Sequence, residues 1–274
     1  MSALLLHWLD SVANFGDQMS RDVVSHLSDR PVEWGDGDVC DLLAIGSIMM
    51  YAGHWAGKTR NADNPMHIWG TGMLSPLRCA KHMTVLKSDS VVYHALRGPL
   101  TGAMLDNPTR VYGDPGLLVP QIVPQAQSTG KIGIIPHHSV TLAADVLDEI
   151  ERDDDLQLID VGDGPALDVA ARICACDRVI SASLHGLIVA DAYGIPSAWW
   201  MPRQIHQTAE FKFYDYALAI ERPMPDPLRD QSIGFWHKAQ FSNPNTYAQM
   251  IKNRTDDLVQ AFPDHLRAEP INHT

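Results

Sequence analysis

The sequence predicts an α/β protein of two domains, each built on a mostly parallel sheet, with a cleft between them. Three observations predict it. Residues 131–201 alternate short apolar runs with single helical patterns, the rhythm of βαβ crossovers. In the first half the apolar runs end in glycine-containing turns, where a backbone approaches a ligand closely. Between the halves, residues 119–130 carry two prolines, three glutamines and no charge, and read as a linker.

In chain order, the first half predicts strands at 4–9, 42–45, 67–69, 91–94 and 110–112, with helices at 18–27 and 99–105. In the second half, residues 131–136 form a β-rich run. A helix follows over 139–152, with Leu142, Val146 and Ile150 on one stripe. A strand at 156–161 leads to a helix at 165–175 that has proline at its first position. Next come a strand at 178–182, a helix at 184–193 stopped by Gly194, and a strand at 197–201. Beyond it lie an aromatic-rich stretch at 211–219, a proline-rich loop at 221–230 and a helix at 247–261. This gives domains at 1–125 and 126–262, with a tail at 263–274.

The formal charge is −12, which opposes nucleic-acid binding because that needs a basic face. An acidic chain can still hold a local basic pocket for an anionic substrate. Met1 to Leu9 is apolar but has no basic leader, and it reads as a buried strand rather than a signal peptide. No apolar run approaches the ~20 residues of a membrane span. Cys40, Cys79, Cys174 and Cys176 form no C-x-x-C, and they read as reduced thiols in a cytoplasmic protein with no metal site.

The most informative stretch is 181–200. It puts Ser183 and His185 where a strand hands over to a helix, and open α/β sheets bind ligands there. The helix N-terminus offers N–H groups and the positive end of its dipole to an anion. Asn14-Phe-Gly-Asp17 follows the first strand. Its Asp17 reads either as a helix N-cap or as a carboxylate that accepts a hydroxyl proton. Arg97 stands at a strand end, as a two-pronged anion clamp or as a surface ion pair. His137 and His138 end the first strand of the second half, either in the cleft or satisfied in the core. Lys212 lies between Phe211 and Phe213, as anchor or bystander. Trp199-Trp200 reads as strand core, with sugar stacking as the alternative.

Seven of these segments stand in the order of a known family: Asn14-Phe-Gly-Asp17, Leu43-Ala-Ile-Gly-Ser47, Ile68-Trp-Gly-Thr-Gly72, Leu96-Arg-Gly-Pro-Leu-Thr101, Gly113-Asp-Pro115, Ile134-Ile-Pro-His137 and Ser183-Leu-His-Gly186. Together they resemble the polysaccharide pyruvyl transferases, most closely the bacterial exopolysaccharide ketal-pyruvate transferases. The resemblance implies two Rossmann-like domains in a glycosyltransferase-B-like pair. It implies phosphoenolpyruvate as donor, a hexose of a lipid-linked oligosaccharide or polysaccharide as acceptor, and no cofactor. The place implied is the cytoplasm, at the inner face of the membrane.

On that basis His185 and Asp17 are expected to be catalytic. Arg97, Ser183, Gly186, His137, His138, Lys212 and Arg203 are expected on the donor, and Asn14, Gly16, Ser47, Gly70 and Thr71 on the acceptor. In one departure, the chain reads Ser183 where many members read arginine, so Arg97, Arg203 or Lys212 takes over the anion. The alternatives are a nucleotide-sugar-dependent glycosyltransferase and a non-catalytic carbohydrate-binding protein.

Overall fold

The computed structural model describes every residue except 1, 10–14, 77–78, 203–206, 231, 233 and 270–274. The first half holds β1 (Leu4–His7), β2 (Val32–Trp34), β3 (Leu42–Leu43), β4 (Met66–Trp69) and β5 (Val91–Ala95). They form one sheet in the order β2-β1-β3-β4-β5, and every pairing is parallel. Its helices are α1 (Phe15–Ser28), α2 (Met49–Thr59), α3 (Ala80–Leu86) and α4 (Pro99–Met104). The second sheet is made of β6 (Ile132–Ile135), β7 (Leu156–Leu158), β8 (Arg178–Ser181) and β9 (Ser197–Trp199). Its order is β7-β6-β8-β9, again parallel throughout. It carries α5 (Ala144–Arg152), α6 (Ala166–Cys174) and α7 (Leu184–Ala192), followed by α8 (Phe211–Ala219) and α9 (Ala248–Ala261).

This strand order fixes where a ligand can sit. In each sheet the chain steps first to one side of the opening strand and then to the other. The switch points therefore lie between β1 and β3 and between β6 and β8. A crevice opens at such a point beyond the strands' carboxyl ends, because the flanking crossovers diverge there.

One apolar cluster runs through both halves. Leu4, Leu6, Met19 and Val23 share it with Ile135, Val169 and Val189. Within it α1 packs on α6, and a 3-10 turn at Pro115–Gln121 packs on both α1 and α7. Both switch points are thus held by the same packed layer. The terminal helix α9 runs back to the first half. Leu258 and Phe262 join the cluster, and the Trp69 indole donates to the Leu258 carbonyl at 3.0 Å.

Several expected elements differ. Residues 110–112 make a single bridge, Leu96 to Tyr112, instead of a strand. Helix α5 starts at Ala144 rather than at 139, because the Ser139 N–H donates to His137 Nδ1 at 3.2 Å, a local turn that competes with helix. Pro165 is the residue before α6, not its first. Asp17 lies inside the first turn of α1, so it does not cap it. The tail is tied down as far as Ala268. The Ala268 N–H donates to the Ser28 carbonyl at 2.7 Å, and Arg267 Nη1 to the Leu27 carbonyl at 2.9 Å. Among the described residues no helix is long and apolar enough to cross a membrane.

Candidate active site

A pocket of about 1100 Å³, its open mouth included, joins the two switch points. It is lined by Asp17 of α1 and by Gly46 and Ser47 after β3. From the second half come His137 and His138 after β6 and Ser183, Leu184 and His185 after β8, and Lys212 of α8 completes the polar wall. Leu9, Tyr51, Leu74 and Val161 form its apolar part. Among the described lining residues Asp17 is the sole carboxylate, set against one lysine and three histidines. In an acidic chain this lining is a local exception, where cationic and imidazole side chains outnumber carboxylates, and that suits an anionic ligand.

The first-half wall is a braced turn. Gly46 has φ +118°, a left-handed conformation that β-carbon-bearing residues avoid, and it brings the chain against Asp17. A β-carbon on Gly46 would stand 2.6 Å from Asp17 Oδ1. The Thr71 hydroxyl pins this turn from behind by donating to the Gly46 carbonyl at 2.7 Å. Ser47 Oγ accepts from Arg97 Nη1 at 2.8 Å.

Arg97 is fully buried, and its guanidinium is occupied by the protein itself. Nε donates to Asp215 Oδ2 at 3.1 Å, and Nη2 both donates to the Met73 carbonyl and lies 2.9 Å from Asp215 Oδ2. The Asp215 carboxylate also accepts from the Thr101 N–H at 2.9 Å and from the Thr101 hydroxyl at 2.7 Å. This network docks α8 onto the N-terminus of α4, and Lys212 lies one turn before Asp215 on α8. Burial and the nearby Arg97 charge push the Lys212 amine down to about 8, although Asp17 opposes them.

The second-half wall is built on strand ends. The His137 and His138 rings lie 4.0 Å apart, and His137 Nδ1 is 2.9 Å from Ser139 Oγ. Burial, followed by the Lys212 charge, lowers the pKa of His138. Ser181 Oγ donates to the Ser183 carbonyl at 2.8 Å and accepts from the Ser183 N–H at 3.1 Å, which sets the turn into α7. Ser183 precedes α7 with extended backbone, and its side chain makes no cap bond. The Ser183 side chain thus leaves the N–H groups at the start of α7 to another acceptor among or beyond the described residues. His185 is buried in the first turn, its ring laid against Gly16 and its Nε2 3.7 Å from Asp114 Oδ2.

The structure brings together His185, Asp17, Ser183, His137, His138, Lys212 and Ser47 as lining residues, with Gly16 against the His185 ring. It places four expected contacts behind the wall. Arg97 is spent on Asp215, and Thr71 holds the Gly46 turn. Gly70 packs on Pro115, where a β-carbon would meet the ring at 2.2 Å. Gly186 packs on Ser181, whose Oγ would lie 2.3 Å from such a β-carbon. Asn14 and Arg203 lie outside the described residues. Trp199 is strand core, and Trp200, just past β9, is buried core as well: Trp199 is stacked on Phe213 at 4.8 Å, and Trp200 donates to the Asp230 carbonyl. Sequence reasoning missed Asp114, Asp215 and Tyr51. Asp114 sat inside the quoted Gly-Asp-Pro segment, while nothing local marks Asp215 as the partner of an arginine 118 positions away.

Among the described residues no group of three histidine, cysteine or acidic side chains could hold a metal ion. The chain is similar to uncharacterized protein L143 of Acanthamoeba polyphaga mimivirus, 27% identical over 96% of this chain and 92% of that protein. It is also similar to succinoglycan biosynthesis protein ExoV of Rhizobium meliloti (strain 1021), 31% identical over 54% of this chain and 47% of that protein. No solved structure matches it. The family model for polysaccharide pyruvyl transferase matches residues 10–200, which take in every lining residue but Leu9 and Lys212. The chain belongs to the polysaccharide pyruvyl transferase family.

Proposed function

We propose that this protein transfers the enolpyruvyl group of phosphoenolpyruvate onto two hydroxyls of one hexose, forming a pyruvate ketal and releasing phosphate. The acceptor is a sugar of a lipid-linked exopolysaccharide repeat unit, met at the cytoplasmic face of the membrane. In this reading the two sheets are the domains of a glycosyltransferase-B-like pair, and the pocket is the cleft between them. The observation that carries the proposal is the composition of the described lining, one carboxylate set against Lys212 and three histidines across two switch points. Phosphoenolpyruvate brings a carboxylate and a phosphate of about −1.5 to −2 charge, and the basic side meets both.

The chemistry follows from these groups. His185 gives a proton to the donor methylene, and the neighbouring carbon becomes an oxocarbenium ion. A sugar hydroxyl adds to that carbon, and its proton passes to Asp17. The carbon–oxygen bond to phosphate then breaks, and the leaving oxygen takes the proton held by Asp17 as it departs. A second hydroxyl of the same sugar adds to the cation, passes its proton to His185 and closes the ketal. Histidine suits this traffic because its ring can both give and take a proton. Lys212 and the uncapped start of α7 hold the phosphate. Tyr51, half exposed and stacked on Trp55 at 5.6 Å, offers a platform for the sugar.

The test is phosphate release from phosphoenolpyruvate with a matched synthetic or lipid-linked acceptor, in wild type and in His185→Asn. The variant is expected to fold and to lose ~10²–10⁴ in kcat with little change in donor affinity. Thermal stabilisation by nucleotide sugars but none by phosphoenolpyruvate would overturn the reading.

A further inference from the structure

Asp114 comes from the first half, just after the Leu96–Tyr112 bridge, and it is fully buried. One of its oxygens has a structural task. Oδ1 accepts from the Gly116 N–H at 2.9 Å and so caps the 3-10 turn at Pro115–Gln121. An asparagine or serine would cap as well and would bury no charge. The other oxygen is therefore the one that needs an explanation. Oδ2 is buried and, among the described residues, has no hydrogen-bond partner. It lies 3.7 Å from His185 Nε2, which is likewise buried and without a partner among the described residues. Two orphaned buried atoms of complementary chemistry thus face each other across the two halves. A shift of about 0.5 Å would bring them within hydrogen-bond range.

We infer that Asp114 is the positioning residue for His185: its Oδ2 accepts Nε2–H and leaves Nδ1 as the nitrogen that gives and takes the proton. The pair acts as an orienter and a proton-transfer group, the two parts that acid–base sites built on histidine require. In the neutral ring the proton is held on Nε2. In the protonated ring the carboxylate stabilises the cation, and Nδ1–H is free to transfer. Among the described lining residues, the other charged or titratable groups at this pocket are Asp17 on α1, Tyr51 on α2, His137 and His138 after β6, and Lys212 on α8. Arg97 is sequestered by Asp215 behind Ser47. The role in turnover rests on the proposed pyruvyl transfer, whereas the pairing itself does not.

Asp114→Asn separates the capping task from the charge. Asparagine keeps Oδ1 for the Gly116 N–H and presents an amide N–H where Oδ2 was. That amide donates to Nε2 and moves the ring proton to Nδ1, the wrong tautomer for the reaction. The measurement is a long-range ¹H–¹⁵N correlation spectrum of the His185 ring in labelled full-length protein, together with turnover on phosphoenolpyruvate and acceptor. We expect Nε2–H in the wild type and Nδ1–H in the variant, with kcat down about 10²-fold or more and donor affinity retained. A neutral wild-type ring protonated on Nδ1 overturns the pairing, and this reading needs neither a folded variant nor a substrate. A folded Asp114→Asn protein with an unchanged tautomer, or with wild-type turnover, overturns the positioning role. Wild-type protein that shows Nε2–H but releases no phosphate from phosphoenolpyruvate would keep the pairing and sink the proposed reaction instead.

Discussion

The Cα of Gly16 rests on the imidazole of His185. A β-carbon at Gly16 would stand 1.9 Å from Nδ1, 2.1 Å from Cε1 and 2.4 Å from Cγ, closer than any two such atoms can come. Gly16 lies in the first turn of α1, where glycine offers no helix propensity over alanine. Its backbone has no left-handed φ that would call for glycine. Contact with the ring is a reason for it, because any β-carbon there would overlap the imidazole.

Gly16→Ala should therefore separate stability from activity. Alanine gains helix propensity but forces the His185 ring to move. A displacement of about 1 Å at a reacting group costs ~10² in rate. We expect normal circular dichroism, a melting temperature lowered only slightly if at all, and phosphate release reduced by about that factor. A folded Gly16→Ala protein with wild-type turnover would show that the ring's position does not matter.

The Arg97–Asp215 pair should behave as a buried ion pair that holds α8. Removing one partner leaves an uncompensated buried charge, a loss of about 3–5 kcal/mol. Arg97→Ala and Asp215→Ala should each fall in that range by urea denaturation. Arg97→Met combined with Asp215→Leu should lose much less than either single change, because no lone charge remains. Equal losses in the singles and the double would mean that packing, not charge, fixes α8.

The legibility of the chain varied with local order. The βαβ rhythm of 131–201 and the strand-end position of His185 were readable because each strand is a compact apolar run and each helix has a clear stop. Helix α2 was not readable, because Gly53 and Gly57 interrupt its pattern. The structure uses them to bring α3 close: a β-carbon on Gly53 would stand 2.8 Å from His82 Cβ. Arg97 was found as a charged strand-end residue, yet its partner Asp215 sits on a helix far along the chain, and no local pattern connects them. Asp114 was visible only as part of a turn. Its second task depends on His185 coming from the other sheet, which is a fact of tertiary packing.

Lys212 gives the last prediction, a pair of opposite pH dependences. Its amine is pushed down to about 8 by burial and by Arg97. An anionic donor favours the charged amine, while the donor phosphate is already fully ionised well above its own pKa near 6. Donor affinity should therefore hold up to about pH 8 and then weaken toward tenfold per pH unit. The stability effect has the other sign. A lysine whose folded pKa lies below its unfolded value of about 10.4 binds fewer protons in the native state across that window. Its contribution to unfolding free energy thus rises as pH climbs from about 8 to 10. Lys212→Arg, which stays charged throughout, should abolish both trends while preserving donor binding at neutral pH. Calorimetric titration with phosphoenolpyruvate from pH 7 to 9.5, beside urea unfolding over the same range, measures both. Donor affinity independent of pH in the wild type would remove Lys212 from the donor site.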